Sequence, residues 1–409
     1  MVTQMSINPP VLDMQPNIYL IEGESAFSYL PIIRKLQNQG KKVISFGIGQ
    51  PDFPTPDHIK NAAKAALDDN FTGYTETQGI PELREAIANY LNTRYQSDVK
   101  SEEVIVTTGT KTAIFMAASS YIRQNDEAII IEPSYYAYAQ VVKLFGGIPK
   151  FASLDFDPKK GFSLNVEKIE SQITNRTRMI FINNPHNPTG AVYSKRQLDQ
   201  LVDLAKKKNI IIVADEIYDN FVYSGNFKSL IEYPDWRDNL IYINGFSKTF
   251  SMTGWRLGYI VARRETIPRF NDLAVSLYSC ATSFVQKAGV IALKGDWSPV
   301  KNMVNEFSRR AKVLYDILKK AQGFEPYMPE GAFYMFPRIS SILNKTNLSV
   351  KAFVNDLLEK TGVLVLPGDT FPDKAGREFV RFSYATDMES IKEGAQRIVE
   401  YTEKVFSNQ

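Results

Sequence analysis

The run Leu240-Ile241-Tyr242-Ile243-Asn244-Gly245-Phe246-Ser247-Lys248-Thr249-Phe250-Ser251-Met252-Thr253-Gly254-Trp255-Arg256-Leu257-Gly258-Tyr259 decides how the rest of the chain is read. Leu240 to Ile243 form a continuous apolar run, which predicts a buried strand. Small and hydroxyl residues then surround one lysine, Lys248. Arg256 follows, and a second strand-like run, Leu257 to Ala262, comes after it. A lysine at the end of a buried strand costs stability unless its charge or its amine is used. Formation of a Schiff base with a carbonyl is one such use, because a neutral amine is a nucleophile. Ser247 and Arg256 carry the donors that a phosphate needs. On spacing alone, a surface lysine and arginine in an ordinary loop is the simpler reading, so the flanking sequence has to decide.

Upstream, the chain alternates strand-like and helix-like segments from about Val43. Val104 to Val106 precedes a predicted helix from Lys111 to Ile122. Ala128 to Ile131 ends at Glu132-Pro133, and Met179 to Ile182 ends in a loop rich in Asn and Pro. A helix from Lys195 to Lys207 leads to Ile210 to Ala214. Such β-branched runs suit strands buried on both faces, hence a mostly parallel sheet covered by helices. After about residue 290 the pattern changes. Helices over 299–320 and 350–360 flank short runs at Gly331 to Phe336, Val363 to Leu366 and Phe379 to Ser383. The expected architecture is α/β, with a large domain over 47–295. The segments 1–46 and 296–409 would form a smaller α+β domain.

Four candidate sites fall where predicted strands end, which is where open α/β sheets bind ligands. Thr107-Thr108-Gly109-Thr110-Lys111 starts a helix whose N–H groups and dipole favour a phosphate, although an ordinary capped helix explains it as well. It lacks the upstream glycine of a nucleotide-binding P-loop. Pro133-Ser134-Tyr135-Tyr136-Ala137-Tyr138 offers a ring for stacking on a flat heteroaromatic group. Asn183-Asn184-Pro185-His186-Asn187-Pro188-Thr189-Gly190 is a rigid turn able to hold an amide still. Its His186 reads as a structural neighbour rather than a base. Asp215-Glu216-Ile217-Tyr218 follows a buried strand, so Asp215 needs a partner for its charge. A structural salt bridge or a protonated pyridine nitrogen would serve equally. Together the four sites and Lys248 make one inventory: phosphate anchor, stacking ring, phenolate donor, pyridinium partner and Schiff-base lysine.

At this point the chain resembles the class I pyridoxal-phosphate-dependent aminotransferases of fold type I, in particular the prokaryotic aspartate and aromatic aminotransferases. The motifs are Gly-Ile-Gly-Gln-Pro-Asp-Phe at 47–53, Asn-Pro-Thr-Gly at 187–190, Asp-Glu-Ile-Tyr at 215–218 and Ser-Lys-Thr-Phe-Ser-Met-Thr-Gly-Trp-Arg at 247–256. The likeness runs from about Ser45 to Ala385. The resemblance implies pyridoxal 5'-phosphate as cofactor, joined to Lys248, which also moves the substrate's Cα proton. It implies that Asp215 pairs with the pyridine nitrogen and that Tyr218 and Asn187 bond the ring oxygen. Tyr135 would stack on the ring. Gly109, Thr110, Lys111, Ser247 and Arg256 would hold the phosphate, helped by Tyr74 from the neighbouring subunit of a homodimer. Arg381, with Asn187 and the backbone of Gly49, would grip the substrate α-carboxylate.

The resemblance leaves the substrate side chain open. In some relatives a lysine at the position of Lys111 reaches the distal carboxylate of a dicarboxylic substrate, which favours aspartate or glutamate with 2-oxoglutarate. A solvent-facing lysine in a first helical turn is equally consistent. Aromatic substrates are suggested by the tyrosines near Tyr135 and by Phe27 and Tyr29, and alanine is a further option. A carbon–sulfur β-lyase on the same fold is the alternative function. A cofactor-sensing transcription regulator would need a DNA-binding domain that the first 45 residues do not resemble. A Rossmann dehydrogenase is disfavoured because Gly47-Ile48-Gly49 has no glycine three positions on.

Composition sets the outer limits. The 409 residues exceed one compact core. With 48 basic and 45 acidic residues the formal charge is +3, which gives no case for nucleic acid or an anionic membrane. One cysteine, Cys280, rules out an internal disulfide framework and fits a reducing compartment. Met1 to Gln15 shows no signal-peptide pattern, so the expected location is cytoplasmic.

Overall fold

A computed structural model describes residues 16–21, 28–372 and 374–407. Phe27 and the segment Met1 to Gln15 lie outside these described residues. The central feature is a seven-stranded sheet. In chain order its strands are β1 (Val104–Thr107), β2 (Glu127–Glu132), β3 (Ile148–Ser153), β4 (Thr177–Asn183), β5 (Ile211–Asp215), β6 (Leu240–Gly245) and β7 (Gly258–Val261). Their order across the sheet is β1-β7-β6-β5-β4-β2-β3. Neighbours are parallel from β6 through β5, β4 and β2 to β3, whereas β7 runs antiparallel to both β6 and β1. Every residue of β1, β2, β6 and β7 is buried, as the continuous apolar runs predict. The sheet is thus mostly parallel and covered by helices.

Strand β3 was not foreseen. It is an edge strand, mostly half-buried, and carries Pro149 and Lys150. An edge tolerates a proline and needs only one buried face, so it lacks the apolar run that marked its neighbours.

The helices expected at 111–122, 195–207, 299–320 and 350–360 form within a few residues of those bounds, and others join them that the sequence reading did not mark. Helix α1 (Pro81–Tyr95) precedes α2 (Thr110–Tyr121), which leaves the end of β1, and α3 (Ala137–Leu144) follows β2. Helix α4 (Lys195–Lys208) shows why such segments fold locally. Ser194 caps it and exchanges hydrogen bonds with Gln197, lysines occupy its last turn, and Asn209 closes it at φ 53°. A cap of this kind contributes about 1 kcal/mol. Leu198, Leu201, Val202 and Ala205 form its buried face. Helices α5 (Ile267–Tyr278) and α6 (Ser283–Lys294) follow β7, and the long α7 (Ser298–Leu318) comes next.

Beyond α7, a three-stranded sheet joins β8 (Tyr334–Met335), β9 (Leu366–Pro367) and β10 (Val380–Ser383) in the order β8-β10-β9. Helices α8 (Val350–Thr361) and α9 (Met388–Ser407) accompany it. The run at 363–366 does not form one strand. Val363–Leu364 pairs in parallel with Ile44–Ser45, while β9 pairs with β10. The residues just before Gly47 are thereby tied to the C-terminal region. Among the described residues, no helix is long and apolar enough to cross a membrane.

Candidate active site

The parallel strands end together, and the loops that follow them converge on one cavity of about 440 Å³. Asp215 is the last residue of β5 and Asn183 the last of β4, directly opposite it in the ladder. Asn183 Nδ2 donates to the Asp215 carbonyl at 2.8 Å, and Asn183 Oδ1 accepts from Asn187 N at 2.7 Å. One asparagine thus holds both the aspartate strand and the asparagine turn.

Antiparallel β7 explains how Arg256 arrives. Gly258, its first residue, pairs with Thr107 at the end of β1 and with Gly245 at the end of β6. The start of a reversed strand therefore meets the carboxyl ends of its neighbours. A Cβ on Gly258 would lie 2.9 Å from Thr110 N, so only glycine lets the helix α2 terminus approach this closely. Arg256 itself has φ 56° and donates to the Thr253 carbonyl at 2.8 Å. Gly109, at φ +92°, leaves space that a Cβ would fill, 2.3 Å from Arg256 Nη2.

Lys248 Nζ donates to the Gly49 carbonyl at 2.6 Å and faces the ring of Phe333. Asp215 Oδ2 accepts from Tyr138 at 2.8 Å and Oδ1 from Ile217 N at 3.2 Å. Burial pushes the Asp215 pKa up to about 6, against the lowering effects of the Tyr138 hydrogen bond, the Ile217 amide and the Lys248 charge. The Tyr218 hydroxyl bonds that of Tyr334 at 2.8 Å, and burial holds its pKa well above the ordinary phenol value. It is a neutral donor over the working pH range.

Arg381, on β10, is buried. It donates to the Asn187 side-chain oxygen at 3.2 Å and to the Gly47 carbonyl at 2.6 Å. Its guanidinium lies 4.6 Å from the ring centre of Tyr334 and 4.9 Å from that of Phe371. Two rings thus pack against the flat cation, whose fork suits a planar anion. Lys111 donates to the Tyr136 hydroxyl at 2.9 Å at the exposed rim.

Of the residues singled out from sequence, Gly49, Thr110, Lys111, Tyr135, Asn187, Asp215, Tyr218, Ser247, Lys248, Arg256 and Arg381 all line this cavity. Gly109 stands just behind Arg256. Tyr74 is not among the lining residues and is 90% exposed. His186 is buried against Thr189 and Tyr193, and burial lowers its pKa to about 3, so it stays neutral. Sequence reasoning missed Asn183, Tyr138, Tyr334 and Phe371. Tyr138 stood in the quoted aromatic cluster, and Asn183 began the quoted turn. Tyr334 and Phe371 carry no local signal, because only the fold brings them to Arg381.

A lysine amine, a buried carboxylate and a buried arginine around one cavity, at the carboxyl ends of a mostly parallel sheet, define an α/β enzyme acting on a small anionic substrate. The chain belongs to the aminotransferase class I and II family, whose model matches residues 41–398. It is 47% identical over 399 residues to the aspartate aminotransferase of Sulfurisphaera tokodaii, covering 97% of this chain and 100% of that one. The aromatic aminotransferase structure from Pyrococcus horikoshii superposes with a TM-score of 0.84 at 37% identity, over 91% of this chain and 99% of that one. The Thermus thermophilus aspartate aminotransferase solved with maleate gives 0.88 at 31% identity, over 95% and 99%. By these likenesses the enzyme is aspartate aminotransferase-like.

Proposed function

We propose that the cavity binds pyridoxal 5'-phosphate and moves an amino group between aspartate, or an aromatic amino acid, and the glutamate/2-oxoglutarate pair. The observation that carries this reading is that Lys248, in the loop after β6, Asp215, at the end of β5, and Arg381, on β10, all line one cavity. The residues present suit the cofactor. Gly109, whose missing side chain lets the Arg256 guanidinium come close, the first turn of α2, Ser247 and Arg256 form a cradle for a phosphate. Asp215, driven toward protonation by burial, gains most from a cationic ring nitrogen beside it. Asn187 and Tyr218 offer neutral donors to a ring oxygen, and Tyr135 a flat face.

When bound, the cofactor supplies an aldehyde carbon for the amino group and a ring that takes up the electron pair left at the substrate Cα. The chain does the rest. Arg381 binds the α-carboxylate and, with Asn187, fixes which Cα bond faces Lys248. Lys248 Nζ takes the proton from Cα as general base. Asp215 holds a proton on the ring nitrogen. A second oxo acid then uses the same positions in reverse, so the kinetics are ping-pong.

The aspartate aminotransferase relatives and the maleate, a dicarboxylate, bound by the Thermus enzyme favour dicarboxylic substrates, with Lys111 at the rim as the partner of the distal carboxylate. The aromatic aminotransferase likeness keeps aromatic substrates in the proposal. The exposure of Tyr74 supports a homodimer in which it reaches the partner's phosphate. The division into a large domain at 47–295 and a small one at 1–46 and 296–409, and a cytoplasmic location, belong to the same reading.

The test is an absorbance spectrum of protein loaded with pyridoxal phosphate, before and after adding aspartate, glutamate, tyrosine and alanine separately. Loss of the visible band with a given amino acid, and its return with 2-oxoglutarate, supports the reading and names the substrate. Lys248→Ala should keep its fold by circular dichroism and lose turnover. Near-normal turnover in that variant would sink the assignment.

A further inference from the structure

Behind the cavity lies a second buried polar cluster that the reaction above does not use. Its centre is Asp219, which is 1% exposed and does not line the cavity. Asp219 Oδ2 accepts from Tyr95 at 2.7 Å, from Asn244 Nδ2 at 3.0 Å and from Tyr90 at 3.3 Å. Its Oδ1 accepts from Asn220 Nδ2 at 2.8 Å, and its carbonyl from Arg94 Nη2 at 3.3 Å.

These partners come from three places. Tyr90, Arg94 and Tyr95 lie on α1, on the outer side of the cluster. Asn220 and Asp219 itself belong to the turn that carries Asp215 and Tyr218. Asn244 is the penultimate residue of β6, and its Oδ1 accepts from Gly245 N at 2.7 Å, three residues before Lys248. Asn220 Nδ2 also reaches Thr249 Oγ1 at 3.3 Å, the residue just after Lys248. The Asp219 carboxylate therefore ties the turn after β5 to the end of β6, the strand that leads into Lys248, and Asn220 beside it reaches the Lys248 loop directly at Thr249.

Holding a carboxylate here is costly. Burial raises the Asp219 pKa, although the nearby Arg94 charge and the Tyr95, Asn244 and Asn220 hydrogen bonds pull it down. An apolar pair would join the loops at no such cost. What a multiply bonded carboxylate adds is direction: each donor is fixed in angle as well as distance. Fixed direction matters where two loops must present groups to one carbon atom.

We propose that Asp219 is a positioning residue for transamination: it locks the turn carrying Asp215 and Tyr218 to the loop carrying Lys248, and so fixes how the Lys248 amine faces the substrate Cα. The inference rests on the function proposed above.

The test uses the full-length, cofactor-loaded protein. Asp219→Asn keeps one acceptor oxygen and puts an NH2 in place of the other, so Asn244 Nδ2 on one side and Asn220 Nδ2 on the other can no longer both donate to it. The reciprocal double variant Asp219→Asn with Asn244→Asp restores a donor–acceptor pair at the same place. In Asp219→Asn, kcat should fall about tenfold to a hundredfold, as small misplacements of reacting groups do, with KM nearly unchanged. The midpoint of the visible band's pH titration should move, because it reports the surroundings of Lys248 and Asp215. Cofactor affinity, read by fluorescence, should fall with it. The double variant should recover the midpoint and most of kcat. A parent-like midpoint and kcat in Asp219→Asn would overturn the inference. So would a double variant that regains only melting temperature, since that marks a purely structural tie. If Asp219→Asn does not fold, Tyr95→Phe removes one donor and should move the midpoint in the same direction by less; an unmoved midpoint there overturns the inference. A parent whose visible band ignores every amino acid would overturn the function as well, whereas a responsive parent with an indifferent Asp219→Asn overturns this inference alone.

Discussion

Tyr138 and Asp215 are joined by a 2.8 Å hydrogen bond, phenol to carboxylate, with both side chains buried. The bond favours the charged carboxylate, against the burial that opposes it. Tyr138→Phe removes it without changing much volume. The Asp215 pKa should then rise above about 6, and the acid limb of kcat/KM should shift to higher pH. A hydrogen bond to a charged group contributes about 1.5–3 kcal/mol, and cofactor affinity should fall by up to that amount. Fluorescence titration and a pH–rate profile check both, and parent-like values would remove Tyr138 from the account.

Two neighbouring carboxyls make the ligand-free protein sensitive to alkali. Burial raises Asp215 from 3.8 to about 6 and Glu216 from 4.5 to about 8. A group whose pKa is raised on folding adds stability that is present below its unfolded pKa and is lost as pH rises through the folded one. Melting temperature should therefore decline between about pH 4 and 8 as far as these two groups govern it. Glu216→Gln should flatten the upper part of that decline, because the amide stays neutral while still accepting from Leu230 N, as Glu216 does at 2.8 Å. Melting curves from pH 5 to 9 decide the matter; an equally steep Glu216→Gln profile contradicts it.

Arg381→Lys keeps the charge but loses the planar fork and the stacking on Tyr334 and Phe371. Truncation of one partner of a buried charge pair costs about 2–5 kcal/mol, and Arg381→Ala should raise KM for amino and oxo acids alike by that order. Arg381→Lys should fall between that and the parent. Steady-state kinetics with both substrates would show it. A lysine variant with parental KM would mean that the arginine's shape is irrelevant.

Gly109→Ala tests the phosphate cradle. The backbone there has φ +92°, and the new methyl would lie 2.3 Å from Arg256 Nη2. Strain of this kind costs about 1–3 kcal/mol, and Arg256 must also move. The expected result is a folded protein that retains pyridoxal far better than its phosphorylated form would predict from the parent's preference. Comparison of the two affinities by fluorescence is the check, and an unchanged ratio would refute the cradle.

Much of this was legible in the chain itself. Leu240 to Ile243 and Ile210 to Ala214 announced strands because a strand buried on both faces must be apolar throughout. Asp215 and Lys248 stood out because charge at the end of such a strand needs a purpose. Edge strand β3 stayed hidden because one solvated face leaves no such run. The aromatic cluster at 133–138 was noticed, yet the hydrogen bond to Asp215 comes from Tyr138, a distinction that depends on how α3 is turned. Tyr334 and Phe371 could not be read at all, since their role is to flank a residue far away in sequence.

The bond from Arg381 to the Gly47 carbonyl spans 334 residues, and the Ile44–Ser45 pairing with Val363–Leu364 closes the same loop. A growing chain that has emerged only through β7 already contains the whole of the large sheet, with Lys248, Asp215 and Arg256 in sequence. Its Gly47–Gly49 stretch still has no C-terminal neighbours to hold it. The Gly47 carbonyl meets Arg381, and the strand before it its partner Val363–Leu364, only once the last quarter of the polypeptide has been made. Synthesis thus produces the framework first and the working pocket last, so an abandoned nascent chain carries the family's most recognisable motif without the means to orient a substrate.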